Sequence, residues 1–148
     1  KVGEEAVETV IEATNGTDER LIYEGADLIY HMIVLLASKG YRIEDLAREE
    51  PASFAAVTAR ALAQLSILME FASPLLQEGG RLICYKANVS DEELDHAVLL
   101  QDRLAMKLVS DRTVTLGENC RRIICFEKAG TPQVKLPRKT GLAQKRPL

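Results

Sequence analysis

At Pro51 the hydrophobic pattern of this 148-residue chain changes period, and no single regular architecture satisfies both sides of it. Ahead of Pro51, apolar residues recur three and four apart. Leu21, Ile22, Leu28, Ile29, Met32, Ile33, Leu35 and Leu36 form one such series, and nothing in residues 1–50 has the pattern of a strand. The spacing predicts a helix from Val2 to Ala13 stopping at the glycine signal Asn15-Gly16. A second helix is expected from about Asp18 to Ser38, ended by Gly40, and a short third from Ile43 to Glu49. Beyond Pro51, short apolar runs alternate with helical stretches. Strands are expected over 54–59, 81–86, 107–116 and 121–128, with a helix over 62–76. Another helix opens at Ser90, where Glu93 three residues on supplies a capping-box signature. Near-continuous apolar strands between helices predict an α/β layer with a parallel sheet. The expectation is therefore an α+β chain in two parts: an N-terminal α-hairpin in residues 1–50, then an incomplete sheet of about four strands in residues 51–148.

Charge divides at the same place. Residues 1–50 hold 5 Lys/Arg against 12 Asp/Glu, a balance of −7; residues 51–148 hold 14 against 10, a balance of +4. The final segment KLPRKTGLAQKRPL carries Lys135, Arg138, Lys139, Lys145 and Arg146 with no acid, and its Pro and Gly content predicts irregular structure. Such a head and tail call for different partners, a metal ion and a polyanion. Cys84, Cys120 and Cys125 lack CxxC spacing and are expected as reduced thiols of a cytoplasmic protein. The longest apolar run, LIYHMIVLLA (28–37), contains His31 and is too short for a bilayer, so no membrane partner is expected. No signal-peptide pattern stands at the start, which also lacks a methionine.

Glu4, Glu5 and Glu8 lie on one turn-repeated surface of the first helix, and Glu24 and Asp27 make an i, i+3 pair on the second. An antiparallel hairpin brings the two sets to a common site. Clustered carboxylates repel unless a cation neutralises them, and an all-oxygen donor set suits Mg²⁺ or Mn²⁺. A solvated acidic face is the other reading of the same residues, and His31 one turn after Asp27 suits a local Asp–His hydrogen bond.

KVGEEAVETVIEA followed by LIYEGADLIYHMIVLLASKGYRIEDL resembles phosphoribosyl-ATP pyrophosphohydrolase of histidine biosynthesis, one of the all-α nucleoside-triphosphate pyrophosphohydrolases. The family's marks are ExxE or EExxE on one helix and ExxD on the next. They fall here on Glu4, Glu5, Glu8, Glu24 and Asp27 as catalytic residues, with Glu5, Glu8, Glu24 and Asp27 as metal ligands. The resemblance implies Mg²⁺-dependent hydrolysis of phosphoribosyl-ATP to phosphoribosyl-AMP and pyrophosphate, in a homo-oligomer built by pairing helical hairpins. A segment that precedes this helix in the family is missing from the sequence, so impaired activity is expected.

VTARALAQLSILMEFASPLLQEGGRLICYKA, RRIICFEK and the ending TPQVKLPRKTGLAQKRPL resemble the C-terminal half of the glucose-inhibited division protein B family, small-subunit (16S) ribosomal RNA guanine-N7 methyltransferases. That resemblance implies an incomplete Rossmann-like methyltransferase sheet over residues 53–148. Arg60 matches a contact to S-adenosylmethionine and Lys86 a position facing RNA. Lys135, Arg138, Lys139, Lys145 and Arg146 add a basic tail suited to RNA phosphates. The nine glycines form no cofactor-cradling loop of the kind that follows a first strand, so S-adenosylmethionine is expected to lack its main binding loop. Three functional readings follow: the hydrolase, a methyltransferase fragment or RNA-binding module, and an inactive fusion of two enzyme segments.

Overall fold

The computed structural model describes residues 1–60, 63–116 and 119–148. They form two compact units, Lys1–Arg42 and Ile43–Leu148.

The first unit is a helical hairpin of α1 (Val2–Asn15) and α2 (Asp18–Ser38), packed against each other. Thr17 caps α2, its hydroxyl accepting the Arg20 backbone N–H at 3.3 Å, and Arg20 bridges back to Glu12 at 3.5 Å. Gly40 follows α2 with φ +85, a conformation that favours glycine, whereas Gly16 is extended at φ −94 and does not serve as a left-handed cap. Glu5 is the buried residue of α1, and α2 has none. Ile22 (72% exposed), Ile29 and Ile33 leave the apolar stripe of α2 open to solvent within this chain. The run 28–37 is also only the C-terminal half of α2. The whole 21-residue helix has an 18-residue window of mean hydropathy 1.4, long and apolar enough by length and composition to cross a membrane. Core helices of soluble proteins and signal sequences pass the same test.

The second unit holds α3 (Ile43–Glu49), β1 (Phe54–Arg60), α4 (Leu65–Ala72), β2 (Leu76–Lys86), α5 (Asp91–Leu99), α6 (Gln101–Leu104), β3 (Met106–Leu116), β4 (Asn119–Lys128) and α7 (Leu142–Lys145). The sheet order is β1-β2-β4-β3, with β1 parallel to β2 and the other two pairings antiparallel. The parallel sheet expected from the apolar strands is thus a mixed one. Two residues separate β3 from β4, and a parallel crossover needs a dozen or more. The apolar runs also mislead about burial. Along β2, Leu82 and Cys84 are buried while Arg81 and Tyr85 are exposed; along β4, Ile124, Phe126 and Lys128 are buried and their neighbours are not. Period two on a sheet covered on one face explains this, with Leu65, Leu68 and Met69 of α4 and Leu104 of α6 in the same core.

Strand β2 begins five residues before the predicted one. Opposite it, β1 shifts register, Phe54 pairing with Leu76 but Ala56 with Arg81. Gly80 sits inside this irregularity, where a Cβ would stand 2.9 Å from the backbone oxygens of Gln77 and Phe54. The helix expected over 62–76 is observed as 65–72; its predicted start at Leu62 lies outside the described residues. Ser90 caps α5 as expected, accepting the Glu93 N–H at 3.2 Å, but the Glu93 carboxylate does not complete the box and turns to Lys86 and the Leu65 N–H. The basic tail is partly regular: α7 forms, Ala143 is buried, and the Gly141 N–H donates to Glu44 of α3 at 2.9 Å.

Candidate functional site

In the first unit, α1 places Glu5 and Glu8 one turn apart, and α2 brings Glu24 to them. Their carboxylate oxygens lie within 4.8 Å of one another. Glu5 is 4% exposed, Glu24 half-buried and Glu8 exposed, so the cluster opens outward from a buried floor. Partial loss of hydration beside the cluster, followed by the charges of Glu5 and Glu24, pushes the Glu8 carboxyl above its ordinary value. Two basic side chains adjoin the group: Lys1 reaches Glu4 at 2.9 Å and Glu5 at 3.1 Å, and His31 Nδ1 lies 3.9 Å from Glu5. Hydrogen bonding to Lys1 holds Glu4 below the usual carboxylate range, while the Lys1 ammonium is pushed up by the same two glutamates.

Of the five predicted acids, three converge. Glu4 is turned to Lys1, and Asp27 is not among the clustered carboxylates. The Asp–His contact is made through the main chain, His31 Nδ1 lying 3.0 Å from the Asp27 carbonyl oxygen. His31 is the neighbour that spacing within α2 did not connect with Glu5. Only the approach of α1 and α2 makes that contact, although i, i+4 placement after Asp27 marks its face. Three carboxylates with oxygen donors alone fit a hard divalent cation, which would relieve their mutual repulsion.

The second unit positions its predicted residues differently. Arg60 is exposed at the C-terminal end of β1, beside residues outside the described set. Lys86 ends β2 and is engaged internally, donating to Glu93 at 2.7 Å and to the Ala63 carbonyl at 2.9 Å. Glu93 also accepts the Leu65 N–H at 2.9 Å, so one ion pair joins β2 to the starts of α4 and α5. Arg138 is likewise not a free tail cation. It forms a bidentate pair with Glu70, which is 3% exposed, and donates to the Arg146 carbonyl at 3.0 Å. Lys135, Lys139, Lys145 and Arg146 are exposed.

Comparison with known proteins separates the same two parts. Residues 1–50 match the family model for phosphoribosyl-ATP pyrophosphohydrolase, and residues 36–124 match that for rRNA small subunit methyltransferase G. The matches overlap over 36–50, and the boundary between the compact units, Arg42/Ile43, falls inside the overlap. A histidine biosynthesis bifunctional protein HisIE of Bacteroides thetaiotaomicron is 96% identical over 49 residues, covering 33% of this chain and 24% of that protein. Ribosomal RNA small subunit methyltransferase G of Syntrophomonas wolfei is 38% identical over 109 residues, covering 72% of this chain and 51% of the relative. The Thermotoga maritima protein of the same name is 36% identical over 108 residues, covering 72% and 45%. The chain therefore spans about half the length of these methyltransferases. A solved 16S rRNA (adenine(1408)-N(1))-methyltransferase from Catenulisporales acidiphilia matches with TM-score 0.50 at 11% identity, covering 64% of this chain and 58% of that one, a likeness of fold. With an N-terminal segment similar to phosphoribosyl-ATP pyrophosphohydrolase, and the methyltransferase model matching more than half of its length, the chain belongs to the rRNA small subunit methyltransferase G family.

Proposed function

We propose that the hairpin is a divalent-cation site for hydrolysis of phosphoribosyl-ATP to phosphoribosyl-AMP and pyrophosphate, completed by pairing with a second copy. The convergence of Glu5, Glu8 and Glu24 carries this reading. A bound Mg²⁺ would screen the substrate's phosphates and lower the pKa of the attacking water. Glu5, buried and held by Lys1, fixes one side of the site; Glu24 fixes the other from α2. Glu8, exposed and raised in pKa, is suited to take the proton as the water oxygen bonds to phosphorus and the phosphoanhydride breaks. Asp27 and Glu4 belong to the resembled motif and are assigned to substrate or to the partner hairpin's side. The open apolar stripe of α2 supports a homo-oligomer, since a unit this small buries little core by itself. A cytoplasmic location without a membrane partner accords with both matched families.

Incubation of the full chain with phosphoribosyl-ATP and Mg²⁺ is expected to release pyrophosphate, and Glu8→Gln to abolish the release. In the same protein, Glu5→Gln and Glu24→Gln should each weaken Mn²⁺ binding by about tenfold or more, the scale on which even outer ligand partners act. Mn²⁺ binding should also fade on acidification through the raised Glu8 pKa, ahead of an ordinary carboxylate. Without metal the sign reverses: a raised carboxyl pKa favours the fold below the unfolded value and loses that contribution as pH rises. Turnover unchanged in Glu8→Gln, or Mn²⁺ affinity unchanged in both other variants, overturns the assignment.

The four exposed tail cations favour a second reading, an RNA-binding module derived from the methyltransferase. Phosphate contacts need charge more than sequence-specific geometry. Replacing Lys135, Lys139, Lys145 and Arg146 with Gln should lower affinity for small-subunit RNA and flatten its salt dependence by roughly one unit of slope for each phosphate no longer neutralised. An unchanged salt slope removes the tail from RNA binding. Arg60 is the position at which the resembled family meets S-adenosylmethionine; saturable binding lost in Arg60→Ala would extend this reading to the cofactor. Absence of turnover, RNA affinity and cofactor binding together would identify an inactive fusion.

A further inference from the structure

At the end of β4 lies a buried charge that neither reading uses. Lys128 is 6% exposed, and its ammonium donates to the Ser73 carbonyl at 2.8 Å and the Ser73 hydroxyl at 2.6 Å. That hydroxyl in turn donates a hydrogen bond to the Leu104 carbonyl at 2.6 Å, and being neutral it supplies no counter-charge to the lysine. Both acceptors are uncharged, and no carboxylate pairs with Lys128 among the described residues. An ammonium has three protons, and two are placed here. Burying a cation without a counter-charge is costly, which is why buried charges are normally paired. Desolvation accordingly pulls the Lys128 pKa down to about 8.

Lys128 also lines a cleft of about 550 Å³, within the size range of small-molecule sites. The charged residues on its wall are Lys128, Lys135 and Glu78, and Gly130 and Thr131 run along it. The cleft is bordered by the start of β2 at Leu76 and by Pro51 and Ala52 ahead of β1. It therefore lies at the end of the sheet opposite Arg60 and Lys86, which mark the C-terminal ends of the parallel strands, where open α/β sheets ordinarily hold their ligands.

We propose that this cleft binds the phosphate group of a small phosphorylated molecule, with the Lys128 ammonium as its buried contact and Lys135 as its contact at the rim. The anion supplies the counter-charge that Ser73 does not, and the remaining volume accommodates the group that carries the phosphate. Inorganic phosphate and ribose 5-phosphate present the same chemistry, and ribose presents the same carrier without it.

The test is an amide-resolved NMR titration of the full chain at constant ionic strength with inorganic phosphate, ribose 5-phosphate and ribose. Saturable shifts are expected at Ser73, Gly130 and Thr131 with both phosphates and not with ribose. Tighter binding of ribose 5-phosphate identifies a phosphorylated small molecule as the ligand, whereas equal affinities identify free phosphate. Lys128→Met should weaken binding by about tenfold or more and Lys135→Gln by about threefold, in keeping with removal of a buried and an exposed charge. If Lys128→Met does not fold, protection of Lys128 from reductive methylation by phosphate in the unaltered chain gives the same information. No saturable shift with either phosphate, equal response to ribose, or undiminished affinity in folded Lys128→Met overturns the proposal.

Discussion

Replacing Glu70 with alanine is expected to destabilise the second unit by about 3–5 kcal/mol, a large part of the ~5–15 kcal/mol that keeps an ordinary domain folded. Glu70 lies on α4, 3% exposed, and holds the Arg138 guanidinium through two parallel hydrogen bonds. Truncating the acid leaves Arg138 partly buried with its planar fork unpaired on that side, and the penalty comes from that uncompensated charge more than from the missing attraction. The same contact anchors the basic tail to α4, so the variant should also expose residues 131–148 to protease. A double replacement of Glu70 and Arg138 by apolar residues of similar volume is expected to recover most of the loss, because neither charge then needs solvation. Urea unfolding midpoints for the single and double variants check this. A single-variant loss below about 1 kcal/mol would place the pair among exposed bridges of little consequence.

Phe126→Ala is expected to cost about 3–5 kcal/mol by a different route. Phe126 is fully buried in β4, paired with Leu82 of β2 on one side and Leu108 of β3 on the other. Removing the ring leaves a cavity between the sheet and the helices that cover its face, which the hydrogen-bonded strands cannot collapse to fill, so transfer and cavity costs add. The control is Ile29→Ala in α2. Ile29 is 62% exposed, and the change should stay within about 0.5 kcal/mol when measured on unassociated chain. Paired unfolding curves read both variants, and a Phe126 effect as small as that of Ile29 would mean that the helix-covered face of the sheet is not the core.

The two parts of the chain were legible because their signals are local. A helix repeats every 3.6 residues, so the apolar series from Leu21 to Leu36 reveals α2, and the spacings Glu5 to Glu8 and Glu24 to Asp27 reveal which acids share a helix surface. Strand positions were readable in the same way, from the runs that became β1, β2, β3 and β4. Strand direction was not. RLICYK has nearly the same composition whether its neighbours run parallel or antiparallel, and only the two-residue gap between β3 and β4 betrays the hairpin. Lys86 and Arg138 show a second gap in what sequence conveys. Each has the appearance of a free cation in its own segment, and each is paired with a glutamate on another element, Arg138 across a separation of 68 residues.

By itself the amino-acid order determined where most helices and strands lie, that residues 1–50 gather carboxylates at helical spacing, and that the two parts resemble different families. Tertiary structure alone decided that Glu5, Glu8 and Glu24 meet while Glu4 turns to Lys1, that one face of the sheet is covered, and that Lys128 is buried with no counter-charge among the described residues. The physical reason is range. Periodicity is set by backbone geometry over a few residues, whereas the neutralisation of a charge depends on which distant segment packs beside it, and no local pattern encodes that.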